Sequence, residues 1–105
     1  MEYFHVPDME LKGPIGEFIY KWPKVKEIRM ENNEINGKIP EMSFGSASLL
    51  ELLDFTGNKL TGDIPASLGG LQSLKFLGLG SNALEGFIPN SFGNLGNLSK
   101  FWILN

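Results

Sequence analysis

The sequence contains no cysteine and a single histidine, His5, among its 105 residues. Without cysteine the chain can form neither a disulfide nor a thiolate metal site. The lone histidine has no second imidazole with which to hold a metal ion, and no glycine spacing typical of a phosphate-binding loop is present. We therefore predict no catalytic residue, no metal site and no cofactor.

Long apolar runs and a surplus of positive charge are also lacking. No stretch approaches the ~18 apolar residues of a membrane span, and Met1 is followed by EYFHVPDMELKG, which lacks the apolar core of a signal peptide. The net charge of −3 argues against a protein that binds a phosphate backbone. We expect no nucleic-acid partner and no membrane contact by this segment, and the length favours a single domain.

The dominant feature of the sequence is an internal repeat. Residues 74–97 read LKFLGLGSNALEGFIPNSFGNLGN, and the window 24 residues earlier, 50–73, reads LELLDFTGNKLTGDIPASLGGLQS, with leucine, asparagine, glycine and proline in shared positions. This register predicts units at 1–24, 25–49, 50–73 and 74–97 and a partial unit at 98–105. The first unit is degenerate, with Met9 in the asparagine position, and the second has one extra residue within Glu41–Phe44.

The shared pattern, LxxLxLxxNxLxGxIPxxLGxL, resembles the leucine-rich repeat, and its LxGxIP half resembles the plant extracellular subtype. The resemblance covers essentially the whole chain. It implies an α/β-type leucine-rich-repeat solenoid: a right-handed superhelix with a curved parallel β-sheet on the concave face and short 3₁₀ or helical turns on the convex face. Because the cysteine-paired caps of such arrays are lacking, we expect an uncapped array of about four 24-residue repeats plus a partial fifth.

The repeated positions have physical reasons. Alternation at Leu77 and Leu79 predicts a short strand with both leucines pointing inward. Asparagine at the turn that follows can satisfy backbone groups and bridge to the next repeat, so we predict a structural ladder of Asn33, Asn58 and Asn82. The segments after Pro65 and Pro89 favour a helical or 3₁₀ turn. A competing interpretation of Ser46–Phe55, SASLLELLDF, is an amphipathic helix behind a serine cap.

The variable strand positions predict a recognition surface, because they face solvent on the concave side of a solenoid. Outward apolar groups there often mark contacts. The candidate ligand-binding residues are Tyr3, His5, Glu27, Arg29, Leu52, Asp54, Phe76, Lys100 and Trp102.

Two local expectations accompany this surface. Arg29 and Asp54, on adjacent predicted strands, can pair as a surface salt bridge. Gly78 occupies an outward position, so Gly78→Ser is expected to be nearly neutral for stability.

The family resemblance also implies a function. It implies non-catalytic recognition of a protein or peptide ligand, with a co-receptor as a further partner, by the ectodomain of a plant receptor-like kinase or receptor-like protein in signal perception or defence. The parent protein would be membrane-anchored, with this segment on the extracellular side of the plasma membrane or in the cell wall. Asn97 begins an N-glycosylation sequon and is a glycosylation candidate. The alternatives are a secreted protein resembling polygalacturonase inhibitors and a truncated remnant with no independent function.

Overall fold

The architecture consists of two parallel β-sheets and short 3₁₀ helices. The computed structural model describes residues 2–16, 24–41, 48–96 and, for the backbone alone, 100–102. Its strands are β1 (Tyr3–His5), β2 (Lys12–Gly13), β3 (Glu27–Arg29), β4 (Glu34–Lys38), β5 (Leu52–Asp54), β6 (Lys59–Asp63), β7 (Phe76–Gly78), β8 (Ala83–Glu85) and β9 (Lys100–Trp102). Asn97 and residues 42–44, within which the extra residue is predicted, lie outside the described ranges.

The first sheet joins the predicted strands of successive repeats. Its order is β1-β3-β5-β7-β9, and every described pair is parallel. Ile28, Leu53 and Leu77 are aligned with one another across the sheet and are each 0% exposed. Leu79, just after β7, is 1% exposed. The predicted strand with Leu77 and Leu79 pointing inward is therefore confirmed.

A second parallel sheet, with order β2-β4-β6-β8, was not predicted. Strands β2, β4 and β6 each contain a glycine with a positive φ, for example Gly37 at 80° and Gly62 at 79°. That conformation strains residues that carry a Cβ. The glycines of the LxGxIP pattern thus hold the chain in a left-handed conformation while it still pairs with the neighbouring repeat.

The segments after Pro65 and Pro89 form 3₁₀ helices at Ala66–Gly70 and Asn90–Asn94, as predicted. Leu68 points into the core, where it is 0% exposed. The two helices are linked by the Ser91 hydroxyl, which donates to the carbonyl oxygen of Ala66 at 2.7 Å. In these two repeats the short helix follows the second-sheet strand and lies at the end of the repeat.

The core of the described residues is a single cluster of mainly aliphatic residues, to which each of the four units contributes, together with the fully buried Phe55. Ile39 and Ile64 are each 5% exposed, because the next repeat covers them. Their counterpart Ile88 is 49% exposed, and β8 is the terminal strand of the described second sheet. Burial of an aliphatic side chain in this fold therefore depends on the neighbouring repeat as much as on its own.

The three asparagines each bind backbone groups of two repeats. The Asn58 side chain is 7% exposed, its Oδ1 accepts the Ile35 amide at 3.1 Å, and its Nδ2 donates to the carbonyl oxygens of Met30 and Phe55, both at 2.9 Å. Asn33 and Asn82 make corresponding bonds. The sequence predicted a bridge to the next repeat, but the bonds that leave the asparagine's own repeat run to the preceding one. The oxygen of Asn33 accepts the amide of Met9, so the degenerate first turn is held by the asparagine of the second unit.

The helical interpretation of Ser46–Phe55 is wrong where the structure describes that segment. Residues 48–51 carry no helix, and Leu52–Asp54 is strand β5 at the centre of the first sheet. Pairing with the neighbouring repeats outweighs the local helical preference of this stretch. Among the described residues, no helix has both the length and the apolar character needed to cross a membrane.

Candidate functional site

The parallel register aligns the predicted ligand-binding residues in two columns across the first sheet. One column is Tyr3, Glu27, Leu52, Phe76 and Lys100, and the other is His5, Arg29, Asp54, Gly78 and Trp102. We call the outward-facing side of this sheet the concave face. For Lys100 and Trp102 only the backbone position is described.

The concave face begins with a small polar and aromatic group. The Tyr3 and His5 rings lie 5.8 Å apart between centroids and are tilted by 60°. His5 Nε2 is 3.0 Å from Glu27 Oε1, with side-chain exposures of 42% and 33%. Such partly exposed pairs contribute little to stability, so these side chains remain accessible to a partner.

Ion pairs follow one border of the concave face. Lys26 Nζ lies 3.5 Å from Glu2 Oε1, and Lys75 Nζ lies 3.1 Å from Glu51 Oε1. Each pair joins neighbouring repeats. The border is therefore close to neutral, and the net charge at the centre of the face depends on Arg29, Glu31 and Asp54.

The predicted salt bridge between Arg29 and Asp54 does not form, although the two residues are aligned on adjacent strands. Asp54 Oδ1 instead accepts the Thr56 amide at 3.0 Å. Within the described residues, Arg29 Nε and Glu31 Oε1 are buried atoms with no hydrogen-bond partner. The Thr56 amide thus takes the place of Arg29 at the Asp54 carboxylate. The donor Arg29 Nε and the acceptor Glu31 Oε1 remain unsatisfied in the part of the chain that the structure describes.

A pocket of about 280 Å³ opens on this part of the concave face, lined by Glu31, Asn32, Asp54, Thr56 and Phe76. We call it the concave pocket. Asp54 and Phe76 were predicted site residues, whereas Glu31, Asn32 and Thr56 were missed. Glu31 and Thr56 lie one outward position beyond Arg29 and Asp54, in a third column of the repeat register that the list of candidate residues leaves out.

The missing side chain of Gly78 leaves room for three of the pocket residues to lie close together. It is buried, and a Cβ on it would meet Asp54 Oδ1, Thr56 Oγ1 at 2.6 Å and Phe76 Cε1 at 2.9 Å. The expectation that Gly78→Ser is nearly neutral therefore requires these three side chains to move aside. Three neighbouring side chains already occupy the space above the glycine.

We now predict that Gly78→Ser lowers the free energy of unfolding by about 1–3 kcal/mol, because overpacking displaces Asp54, Thr56 and Phe76. Urea unfolding followed by circular dichroism measures this change. Gly93→Ser is the matched control, because nothing lies within 4 Å of a Cβ at Gly93. Equal unfolding free energies for the two variants would contradict the described packing.

The concave face carries charged and aromatic groups in an open arrangement. No group of three or more histidine, aspartate or glutamate side chains in the described ranges is placed to hold a metal ion. The pocket offers carboxylate, amide and hydroxyl oxygens beside an aromatic ring. This chemistry suits the binding of a polar or charged side chain.

Comparison with known proteins gives consistent matches. Residues 49–71 and 73–95 match the Leucine Rich Repeat family model. The chain is 36% identical over 69 residues to Receptor-like protein 52 of Arabidopsis thaliana, a match covering 65% of this chain and 8% of that protein.

Solved structures show the same architecture. A crystal structure of a TDR receptor superposes with a TM-score of 0.92 at 31% identity, covering 99% of this chain and 18% of that one. The leucine-rich-repeat ectodomain of the Arabidopsis receptor kinase HAESA, in complex with an N-terminally extended IDA peptide hormone ligand, superposes with a TM-score of 0.78 at 39% identity, covering 89% of this chain and 16% of that one. The chain therefore spans less than a fifth of each of these relatives.

Proposed function

We propose that this chain, two of whose repeats match the Leucine Rich Repeat family, is a non-catalytic recognition segment of a plant receptor ectodomain that binds a peptide or protein on its concave face. The observation that carries this proposal is the uninterrupted parallel sheet, whose outward positions carry Tyr3, Leu52 and Phe76 among charged groups. Aromatic side chains are enriched in protein interfaces. Tyr3 is 55% exposed, so its ring is available for contact.

The relatives give the proposal its ligand class. One solved relative is an ectodomain in complex with a peptide hormone. An extended peptide lying across the strands of the concave face would run along both residue columns and contact one repeat after another. We propose the same geometry for this chain, with a co-receptor as a further partner, and extracellular placement as part of a membrane-anchored plant receptor acting in signal perception or defence.

The inhibitor alternative receives less support from the charges. A protein that blocks pectin-degrading enzymes would be expected to present a basic concave cluster. The described concave face instead sets Glu27, Glu31 and Asp54 against Arg29. The receptor assignment is therefore favoured.

Selection of displayed random peptides on the immobilised chain tests the proposal. We expect enriched peptides whose binding falls at least about tenfold with Leu52→Asp, because Leu52 lies between Glu27 and Phe76 on the face and a charge there opposes apolar contact. The control is Ala66→Asp, at an exposed position on a 3₁₀ helix. Peptides that bind both variants and the unmodified chain equally would overturn the proposal.

A further inference from the structure

We infer that the concave pocket binds a cationic side chain, preferentially an arginine guanidinium, presented by the ligand. The inference rests on the proposed function for the identity of the carrier, a peptide. The binding of the cation itself rests only on the pocket residues Glu31, Asn32, Asp54, Thr56 and Phe76.

The size of the pocket indicates one side chain as its occupant. Its volume of about 280 Å³ lies at the lower end of the range for ligand sites. The pocket spans three successive repeats, with Glu31 and Asn32 from one, Asp54 and Thr56 from the next and Phe76 from the third. A peptide lying across the repeats would pass over it and could place one residue within it.

The pocket lining is mainly apolar, and its charged groups are the carboxylates of Glu31 and Asp54. Glu31 Oε1 is buried without a partner in the described part of the chain, so an occupant reaches this atom only when the side chain turns toward the pocket. Pairing the atom with a donor would remove the cost of leaving it unsatisfied. Asp54 uses Oδ1 for the Thr56 amide, which orients the carboxylate. Asn32 is held by its own backbone amide, which donates to the Thr56 carbonyl oxygen at 2.8 Å. An occupant that combines apolar surface with a positively charged donor group complements this lining.

The aromatic wall favours a guanidinium among the donor-rich cations. A guanidinium is planar, stacks on an aromatic face and presents several N–H groups in a fork that matches a carboxylate. Phe76 supplies the ring, while Glu31 and Asp54 supply the carboxylates. A lysine ammonium offers the same charge without the flat stacking surface, so we expect it to bind more weakly.

The surrounding charge leaves the carboxylates available. Arg29 is aligned with Asp54, but it forms no ion pair with Asp54 or Glu31 within the described residues and does not line the pocket. The three residues together carry one positive and two negative charges. No basic residue lines the pocket, so an entering cation meets a net negative site.

Amide chemical shifts of the isotope-labelled 105-residue chain test the inference directly. The probe is Nα-acetyl-L-arginine N-methylamide, and the matched neutral probe is the corresponding citrulline derivative, which keeps the shape and loses the charge. We expect concentration-dependent shifts at Glu31, Asn32 and Thr56 with the arginine probe, and at least about tenfold weaker binding of the citrulline probe. Equal binding of the two probes, or shifts outside these strands, would overturn the inference.

Substitutions identify the contacting groups. Glu31→Gln and Asp54→Asn preserve shape and remove charge, and each should weaken the arginine probe by about threefold or more. Glu85→Gln, on the exposed part of the second sheet, is the matched control and should bind as the unmodified chain does. Unchanged binding by both pocket variants would exclude the pocket as the site.

The outcomes separate this inference from the proposed function. If the selected peptides lose binding to Leu52→Asp and need no basic residue, the result supports the proposed function and overturns the cationic occupant. Selected peptides in which replacing one arginine by citrulline weakens binding to the unmodified chain, but not to Glu31→Gln, would support both. If the arginine probe binds but the selected peptides bind Leu52→Asp as tightly as the unmodified chain, the result supports the cation site and overturns the peptide-binding face.

Discussion

Replacing Asn58 by alanine should lower the free energy of unfolding by about 3–5 kcal/mol. The substitution leaves the buried Ile35 amide without its Asn58 partner, and it removes the bonds from Asn58 to the carbonyl oxygens of Met30 and Phe55. Those two oxygens keep bonds from the side chains of Asn33 and Asn82. A buried polar group left without a partner costs about 1–3 kcal/mol, and each lost hydrogen bond costs about 1 kcal/mol. The damage should spread over two repeats, because the three affected groups belong to both. Urea unfolding measured by circular dichroism gives the change.

Two variants separate the hydrogen bonds from the volume of the side chain. Asn58→Leu keeps a similar shape but removes every polar contact, so it should be about as destabilising as Asn58→Ala. Asn36→Ala removes an asparagine from an exposed position of β4 and should change the unfolding free energy by less than about 0.5 kcal/mol. A stable Asn58→Leu variant would show that the asparagine ladder does not hold the repeats together.

Leu79→Ala should cost about 2–5 kcal/mol of unfolding free energy, because it opens a cavity in the core. Leu79 is 1% exposed and follows β7 directly. Chemical denaturation again provides the measurement. The slope of the denaturation curve should stay constant if the variant still unfolds as one unit.

The matched control is Leu49→Ala, the same substitution at a side chain that is 44% exposed. It buries less apolar surface and should cost less than about 1 kcal/mol. A larger loss at Leu49 than at Leu79 would contradict the inward and outward assignment of the repeat register.

The periodic part of the fold could be predicted because each repeat buries its apolar residues at the same positions. Leu53 and Leu77 occupy the same position of their repeats, and both are completely buried. Comparing the repeats predicts Leu52–Asp54 as a strand, although the sequence around it taken alone has a helical pattern. The exact repeat boundaries stay a prediction.

The second sheet was missed although its signal is present. Ile35 and Ile39 flank Gly37 at two-residue intervals, an alternation typical of a strand. The glycine between them indicates a positive φ, which by itself does not predict a strand. The backbone does both: it takes the left-handed conformation at Gly37 and still pairs with β6.

The detail of the candidate site could not be predicted from register alone. Register places Arg29 beside Asp54 but does not determine which group the carboxylate binds, and the nearby Thr56 amide takes it. Similarly, Gly78 occupies an outward position, yet Asp54, Thr56 and Phe76 cover it. Side-chain direction depends on non-repeating neighbours, and those neighbours form the concave pocket.

The central claim is that the concave face is the recognition surface, and mapping the footprint of a selected peptide by amide chemical shifts tests it most directly. The account predicts that the largest shifts fall in Glu27–Arg29, Leu52–Asp54 and Phe76–Gly78, the adjacent strands of the first sheet. Shifts concentrated in Ala66–Gly70 and Asn90–Asn94, the two 3₁₀ helices, would contradict it.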